Sequence, residues 1–286
     1  MSDEDREFPP QSIDYPGSTG DMDPEPHDEM RGYEGRGLLA GKRALVTGGD
    51  SGIGRAVAIA FAKEGADVAI AYLEEHDDAA HTAKLIEAEG RRCVTIAGDL
   101  SVEESCRAAV DRTVAELGGL DVVVNNIAYQ RPADSLADIT TEQWDRTFRT
   151  NIYSYFWVTK FALEHLPDGA AVVNTSSING LRGNAGLIDY SATKGAINAF
   201  TYAMAQALVD RRIRVNCVAP GPVWTPLIPA TMPEEKTETF GQQVPMERAA
   251  QPDEIAPSYV FFASERLSGY YTGEVLAPIG GETLPG

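Results

Sequence analysis

Cysteine is scarce in this chain of 286 residues: there are three, Cys93, Cys106 and Cys217. The count is odd and no pair has CxxC spacing, which excludes a disulfide framework and suits a reducing compartment. The four histidines, His27, His76, His81 and His165, fall into no HExxH or Cys/His ligand pattern, so no zinc site is expected. Basic residues are few, 24 Lys and Arg against 43 Asp and Glu, for a net charge of −19. Such a surface repels phosphate backbones and anionic lipid, so neither nucleic acid nor a membrane is an expected partner. No apolar run approaches the roughly 18 residues a membrane helix needs, and the acidic N-terminus has no signal-peptide core. A cytoplasmic protein is the expectation. The hydrophobic fraction of 43% is that of an ordinary globular chain, which excludes a collagen, a coiled coil or a wholly disordered polymer.

The charge is uneven. Residues 1–30 hold ten acids against the single base Arg6, together with Pro9, Pro10, Pro16, Pro24 and Pro26. A stretch of this composition buries too little apolar surface to offset its ordering entropy. It reads as an arm without regular structure, and a boundary near residue 40 separates arm (1–40) from a folded domain (41–286). The arm is expected to be a solubilising tail, or else a segment docking on a neighbouring subunit through Phe8, Ile13 and Tyr15.

Beyond Lys42, apolar runs alternate with amphipathic stretches. Strands are expected at 43–47, 67–72, 93–97, 121–125, 170–174, 213–217 and 274–277. Helices are expected at 53–64, 77–89, 102–117, 141–165, 189–210 and 252–264. Val122-Val123-Val124 is continuously apolar, as a strand covered on both faces requires. Alternation of this kind predicts an α/β fold: a single Rossmann-type, doubly wound parallel sheet.

Between the first strand and the first helix lies Thr47-Gly48-Gly49-Asp50-Ser51-Gly52-Ile53-Gly54. Glycines at 48, 52 and 54 permit positive φ and let a pyrophosphate reach the backbone, while the helix N-terminus presents free amides to it. Tyr190 and Lys194 stand four apart and share a helix face. A free tyrosine has a pKa near 10. A neighbouring ammonium and a cationic nicotinamide are expected to lower it and make Tyr190 a general acid and base. Ser177, just past a strand, can hydrogen-bond a substrate carbonyl and stabilise the charge growing on its oxygen.

The TGxxxGIG spacing and the order of these motifs resemble the short-chain dehydrogenase/reductase family over roughly residues 40–282, most closely its bacterial stress-associated oxidoreductases. The resemblance implies a catalytic set of Asn151, Ser177, Tyr190 and Lys194, with Lys194 also holding the nicotinamide ribose and Asn151 fixing a proton-relaying water. It implies cofactor contacts at Gly48, Ser51, Gly52, Ile53 and Gly54, at Asp99 and Leu100 beside the adenine, and at Asn125. It adds Pro220, Gly221, Val223 and Thr225 along the nicotinamide. The Asn125-Asn126-Ile127-Ala128 segment lacks the glycine that usually closes this motif. Tyr72 occupies the end of the second strand, where NAD-specific members carry an Asp. With Glu74, Glu75, Asp77 and Asp78 following and only Arg55 nearby as a cation, the balance favours NAD, with NADP open. Residues 225–245, with four prolines, read as a mobile substrate lid. The family also implies a homotetramer, supported by Tyr270, Tyr271 and the apolar 275–279 end. The implied activity is NAD(P)-dependent hydride transfer to or from a small carbonyl or alcohol. The alternatives are a dinucleotide-sensing regulator without turnover and, within enzymes, a sugar dehydrogenase or a 3-oxoacyl-thioester reductase.

Overall fold

The structure, a computed structural model, describes residues 8–283. The arm's first acids, at 3–7, lie outside the described residues. Seven strands form one wholly parallel sheet: β1 Arg43–Thr47, β2 Asp67–Tyr72, β3 Cys93–Ala97, β4 Val122–Asn125, β5 Ala171–Thr175, β6 Arg214–Val218 and β7 Val275–Leu276. Their order is β3-β2-β1-β4-β5-β6-β7. The order reverses between β1 and β4, and a ligand of such a sheet binds in the crevice outside the strand ends at that point.

Successive strand residues face opposite layers. Val46, Ile70, Val124 and Val173 pack against α1 Gly52–Lys63, α2 His76–Ala88 and a later helix, Pro252–Ala263. Leu45, Ala69, Val123 and Val172 pack against α3 Glu103–Leu117 and the helices that follow β4 and β5. Burial on both faces is why β1, β2, β4 and β5 carry central apolar runs, whereas β6 buries Arg214 and Asn216 among its apolar residues.

The long helix expected over 141–165 is interrupted. It consists of α4 Thr141–Phe148, a π-helical turn Arg149–Tyr153 and α5 Ser154–Ala162. A π turn inserts one extra residue into the helical ladder. The inserted turn carries Asn151, which is fully buried and bonded to the loop after β4.

After β5 come the short α6 Asn179–Arg182 and the long α7 Ile188–Ala207. The segment 225–245 holds α8 Leu227–Thr231 and α9 Glu234–Thr237. The chain ends with α10 Pro252–Ala263, α11 Glu265–Ser268 and β7. No helix among the described residues is long and apolar enough to cross a membrane.

The arm departs from its composition. Among its described residues the regular structure is a 3₁₀ turn at Thr19–Asp21, yet these residues pack closely on their own chain. Phe8 stacks on Trp224 with ring centroids 3.8 Å apart and planes 4° from parallel. Ile13 N donates to Pro229 O at 3.2 Å, and Trp224 Nε1 to Pro24 O at 2.9 Å. Met22, Met30 and Leu39 are buried. Asp28 accepts from Gly52 N at 3.0 Å and pairs with Arg55, which also pairs with Asp78. Glu64 receives the backbone amides of Arg36 and Leu38, each at 2.8 Å. Full burial of one large side chain contributes about 1.5–3 kcal/mol. Four spaced anchors, Phe8, Met22, Met30 and Leu39, together with buried acids that accept backbone amides, offset what average composition counts against the segment. The apolar contacts of Phe8, Ile13 and Tyr15 are thus made within one chain.

Candidate active site

A cavity of about 660 Å³ runs along the C-terminal edge of the sheet. At one end lie Tyr72, Leu73, Asp99 and Leu100, at the ends of β2 and β3; at the other stand Ser177, Tyr190 and Lys194. The glycine loop forms its floor. Gly48 and Gly52 have φ of +65° and +52°, values open to glycine at no steric cost. A Cβ on Gly52 would stand 3.0 Å from Thr225 Cγ2, so the space beside it is shared between the loop and the segment after β6. The first turn of α1 sets its positive dipole end toward this space, where a pyrophosphate is bound best, with its first amide, Gly52 N, bonded to Asp28. A glycine cradle at a helix N-terminus, opening on a groove that reaches from Tyr72 and Asp99 to Ser177 and Tyr190, fits a nicotinamide dinucleotide.

Most of the expected contacts do line the cavity: Gly48, Ser51, Gly52, Ile53, Tyr72, Asp99, Leu100, Pro220, Gly221, Val223 and Thr225. Three expected residues do not. Gly54 faces inward; a Cβ there would lie 1.7 Å from Gly48 O, so this glycine is needed for the closure of the loop on itself. Asn125 is 1% exposed, and its amide donates to Thr159 Oγ1 at 3.1 Å and Asn174 Oδ1 at 2.9 Å. Strand alternation turns Asn125 into the core and Asn126 into the groove. Asn126 Nδ2 donates to Gly48 O at 3.3 Å, tying β4 to the glycine loop.

Asn151 is the third. Its Oδ1 accepts from Tyr129 N at 2.7 Å, and its Nδ2 donates to Tyr129 O at 2.9 Å and Thr193 Oγ1 at 3.0 Å. These bonds occupy the side chain and leave it below the groove floor, where it splints the loop after β4 to α7. Asp189 does similar work at the start of α7, accepting from Thr147 Oγ1 at 2.7 Å and Gln143 Nε2 at 3.2 Å. Tyr129, Thr193 and Asp189 hold together the elements around the groove, and the motifs did not single them out.

Tyr190 and Lys194 share one face of α7, with Lys194 Nζ 5.3 Å from the Tyr190 ring centroid. The ammonium donates to Thr175 O at 2.9 Å and does not reach the phenol. Burial pushes the Tyr190 phenol up to about 12, opposed by a hydrogen bond with Ser177. Burial pulls Lys194 down to about 7. The lysine by itself does not lower Tyr190: desolvation of both groups outweighs a charge that points toward a carbonyl.

Arg55 is no partner for a ribose phosphate. It is 2% exposed, with its guanidinium held by Asp28, Asp78 and Thr82. At the Tyr72 end of the groove stand Asp50 and Glu75; burial raises Asp50 to about 6. Tyr72 itself is tied by its hydroxyl to His76 Nδ1 at 2.9 Å.

Comparison with known proteins agrees with this geometry. Residues 48–283 match a family model described as Enoyl-(Acyl carrier protein) reductase. The chain is 56% identical over 277 residues to General stress protein 39 of Bacillus subtilis, covering 96% of both chains. It is 47% identical over 275 residues to NADPH-dependent aldehyde reductase 1, chloroplastic, of Arabidopsis thaliana, covering 94% of this chain and 96% of the other. A short chain dehydrogenase from Burkholderia cenocepacia, solved in complex with NADP, superposes with a TM-score of 0.80 at 35% identity, over 85% of this chain and 98% of that one.

Proposed function

The chain belongs to the short-chain dehydrogenase/reductase family, and from that premise we propose that Tyr190 exchanges the proton, and Ser177 orients the oxygen, of a small carbonyl or alcohol undergoing NAD(P)-linked oxidoreduction. The observation that carries this reading is the placement of Ser177, Tyr190 and Lys194 together at one end of a groove floored by the glycine loop. Bound dinucleotide supplies or accepts the hydride. Ser177 donates to the substrate oxygen and stabilises charge developing there. Tyr190, with its phenol held neutral by burial, is poised to donate a proton, which suits carbonyl reduction. Lys194, anchored on Thr175 O, holds a positive charge beside the groove when protonated. Asn151 acts by positioning, through Tyr129 and Thr193.

The substrate end is lined by Gln130, Asn179, Asn184 and Gln243 beside Leu187 and Phe240. Side-chain amides interleaved with apolar walls suit a small hydroxylated aldehyde, ketone or sugar, in keeping with the aldehyde reductase named among its relatives. The choice between NAD and NADP rests on Asp50, Tyr72 and Glu75. Two acids there, with Arg55 engaged elsewhere, work against a 2′-phosphate. The Burkholderia neighbour nonetheless holds NADP, and the ratio of kcat/KM for the two cofactors on one substrate decides the matter. A homotetramer in a reducing cytoplasm completes the reading, and the three free thiols suit that compartment.

The test is a nicotinamide absorbance screen over aldehydes, ketones, polyols and sugars with both cofactors, repeated on Tyr190→Phe. The variant keeps the ring and loses the acid, so kcat is expected to fall by about 10²-fold or more, with dinucleotide binding retained. Near wild-type turnover by a folded Tyr190→Phe would overturn the assignment.

A further inference from the structure

The groove has an outer wall that the family motifs do not supply. Tyr15, Pro16 and Gly17 of the arm line the same cavity as Gly52, Asp99 and Thr225, and all three lie outside residues 48–283 matched by the family model. Tyr15 meets Tyr129 edge to face, with ring centroids 5.5 Å apart. The Arg146 guanidinium, from α4, lies 5.0 Å from the Tyr15 ring centre and 4.2 Å from that of Tyr129. Two residues on, Gly17 abuts the opposite wall: a Cβ there would stand 2.9 Å from Pro226 O and 3.1 Å from Ala230 Cβ, and its φ is +99°. Pro226 in turn lies beside Gly52 and Thr225, over the helix N-terminus. The arm thus crosses from the loop after β4 to the segment after β6.

Both ends of this crossing are tied down. Ile13 N bonds to Pro229 O on the upstream side. Downstream, Thr19 N donates to Asp78 Oδ2 at 2.9 Å, and Asp28 accepts from Gly52 N. A segment held at Ile13, Thr19 and Asp28 is not a free tail over its middle.

Resting on the dinucleotide reading above, we propose that Tyr15-Pro16-Gly17 is a cofactor-binding strap, closing the outer side of the groove over a dinucleotide seated on the glycine loop. A bound dinucleotide leaves only when the strap lifts, so the arm governs the rate of cofactor release. Tyr15 supplies the holding contact, through the ring of Tyr129 and the Arg146 guanidinium. Gly17 supplies the close approach to Pro226 that a side chain would forbid.

Stopped-flow fluorescence of reduced dinucleotide dissociating from the full chain tests this. Tyr15→Ala and Gly17→Val are each expected to raise the dissociation rate constant by about tenfold or more. Equal dissociation rates for wild type and the two disrupting variants would overturn the strap. Hydrogen exchange on the wild-type chain gives a second arm of the test that needs no variant. Saturating dinucleotide should slow exchange in peptides spanning 11–20; an unchanged pattern there, with protection at 48–55, would also overturn it. Should the wild-type chain bind neither NAD(H) nor NADP(H), the dinucleotide reading fails, and the strap with it.

Discussion

Lys194 shows how burial sets the chemistry of a single side chain. It is 1% exposed, beneath Tyr190 and Tyr155, with Thr175 O as its hydrogen-bond partner. An unfolded lysine keeps its proton up to about 10.5, whereas the folded one keeps it only below about 7. Between these values the unfolded state binds more protons, so the stability attributable to this group rises with pH. Lys194→Met removes the titration. Thermal midpoints measured from pH 7 to about pH 9 are therefore expected to rise for wild type relative to the variant. Parallel curves would mean that the ammonium is not desolvated as the geometry requires. The Tyr190–Lys194 pair was legible in the sequence because i, i+4 spacing places two side chains on one face. The direction of their shifts was not, because spacing carries no information about burial or about a carbonyl belonging to β5.

The glycine loop and α1 make the second case. Strand, tight turn and helix were all readable between residues 43 and 64; the strand has its expected bounds and the helix is displaced by one residue. What the loop's glycines do is divided in three dimensions: Gly52 faces the groove, Gly54 faces Gly48 O. Gly52→Val adds a branched side chain against Thr225 at a residue with φ of +52°. A loss of at least about tenfold in dinucleotide affinity is expected, on the order of 1.4 kcal/mol, read by calorimetry on the folded variant. Unchanged affinity would place the dinucleotide elsewhere. The π turn at Arg149–Tyr153 lies at the opposite extreme of legibility. It carries Asn151, which accepts a long-range hydrogen bond from Tyr129 N, a partner that no local pattern names.

For the protein as a whole, the outer surface carries an unusual set of exposed apolar groups. Trp144, Tyr153 and Phe156 lie along α4, the π turn and α5; Leu267, Tyr270, Tyr271 and Leu276 cluster near the C-terminus, with Tyr270 fully exposed. Isolated exposed apolar residues are ordinary, but grouped ones mark contacts. Two such regions on one chain suit two twofold interfaces and hence a tetramer of dihedral symmetry. Light scattering at micromolar concentration is expected to report four chains; a monomer would refute it.

Periodicity, glycine placement and the apolar runs determined the parallel sheet, the order of its elements and the groove at its C-terminal edge, because each depends on residues near one another along the chain. The four-residue spacing of Tyr190 and Lys194, and Ser177 at the end of a strand, were local features in the same sense. Tertiary structure alone decided which asparagine faces the groove, how far burial moves Tyr190 and Lys194, and what Arg55 pairs with. It also decided the fate of the arm. Averaged over its first thirty residues the arm is acidic, proline-rich and poorly suited to a core. A few apolar anchors and buried acids, meeting partners as far away as Trp224 and Arg55, nevertheless bind it across the domain. Composition averages over a segment, whereas packing depends on which side chains meet, and those meetings are made between residues far apart in the chain.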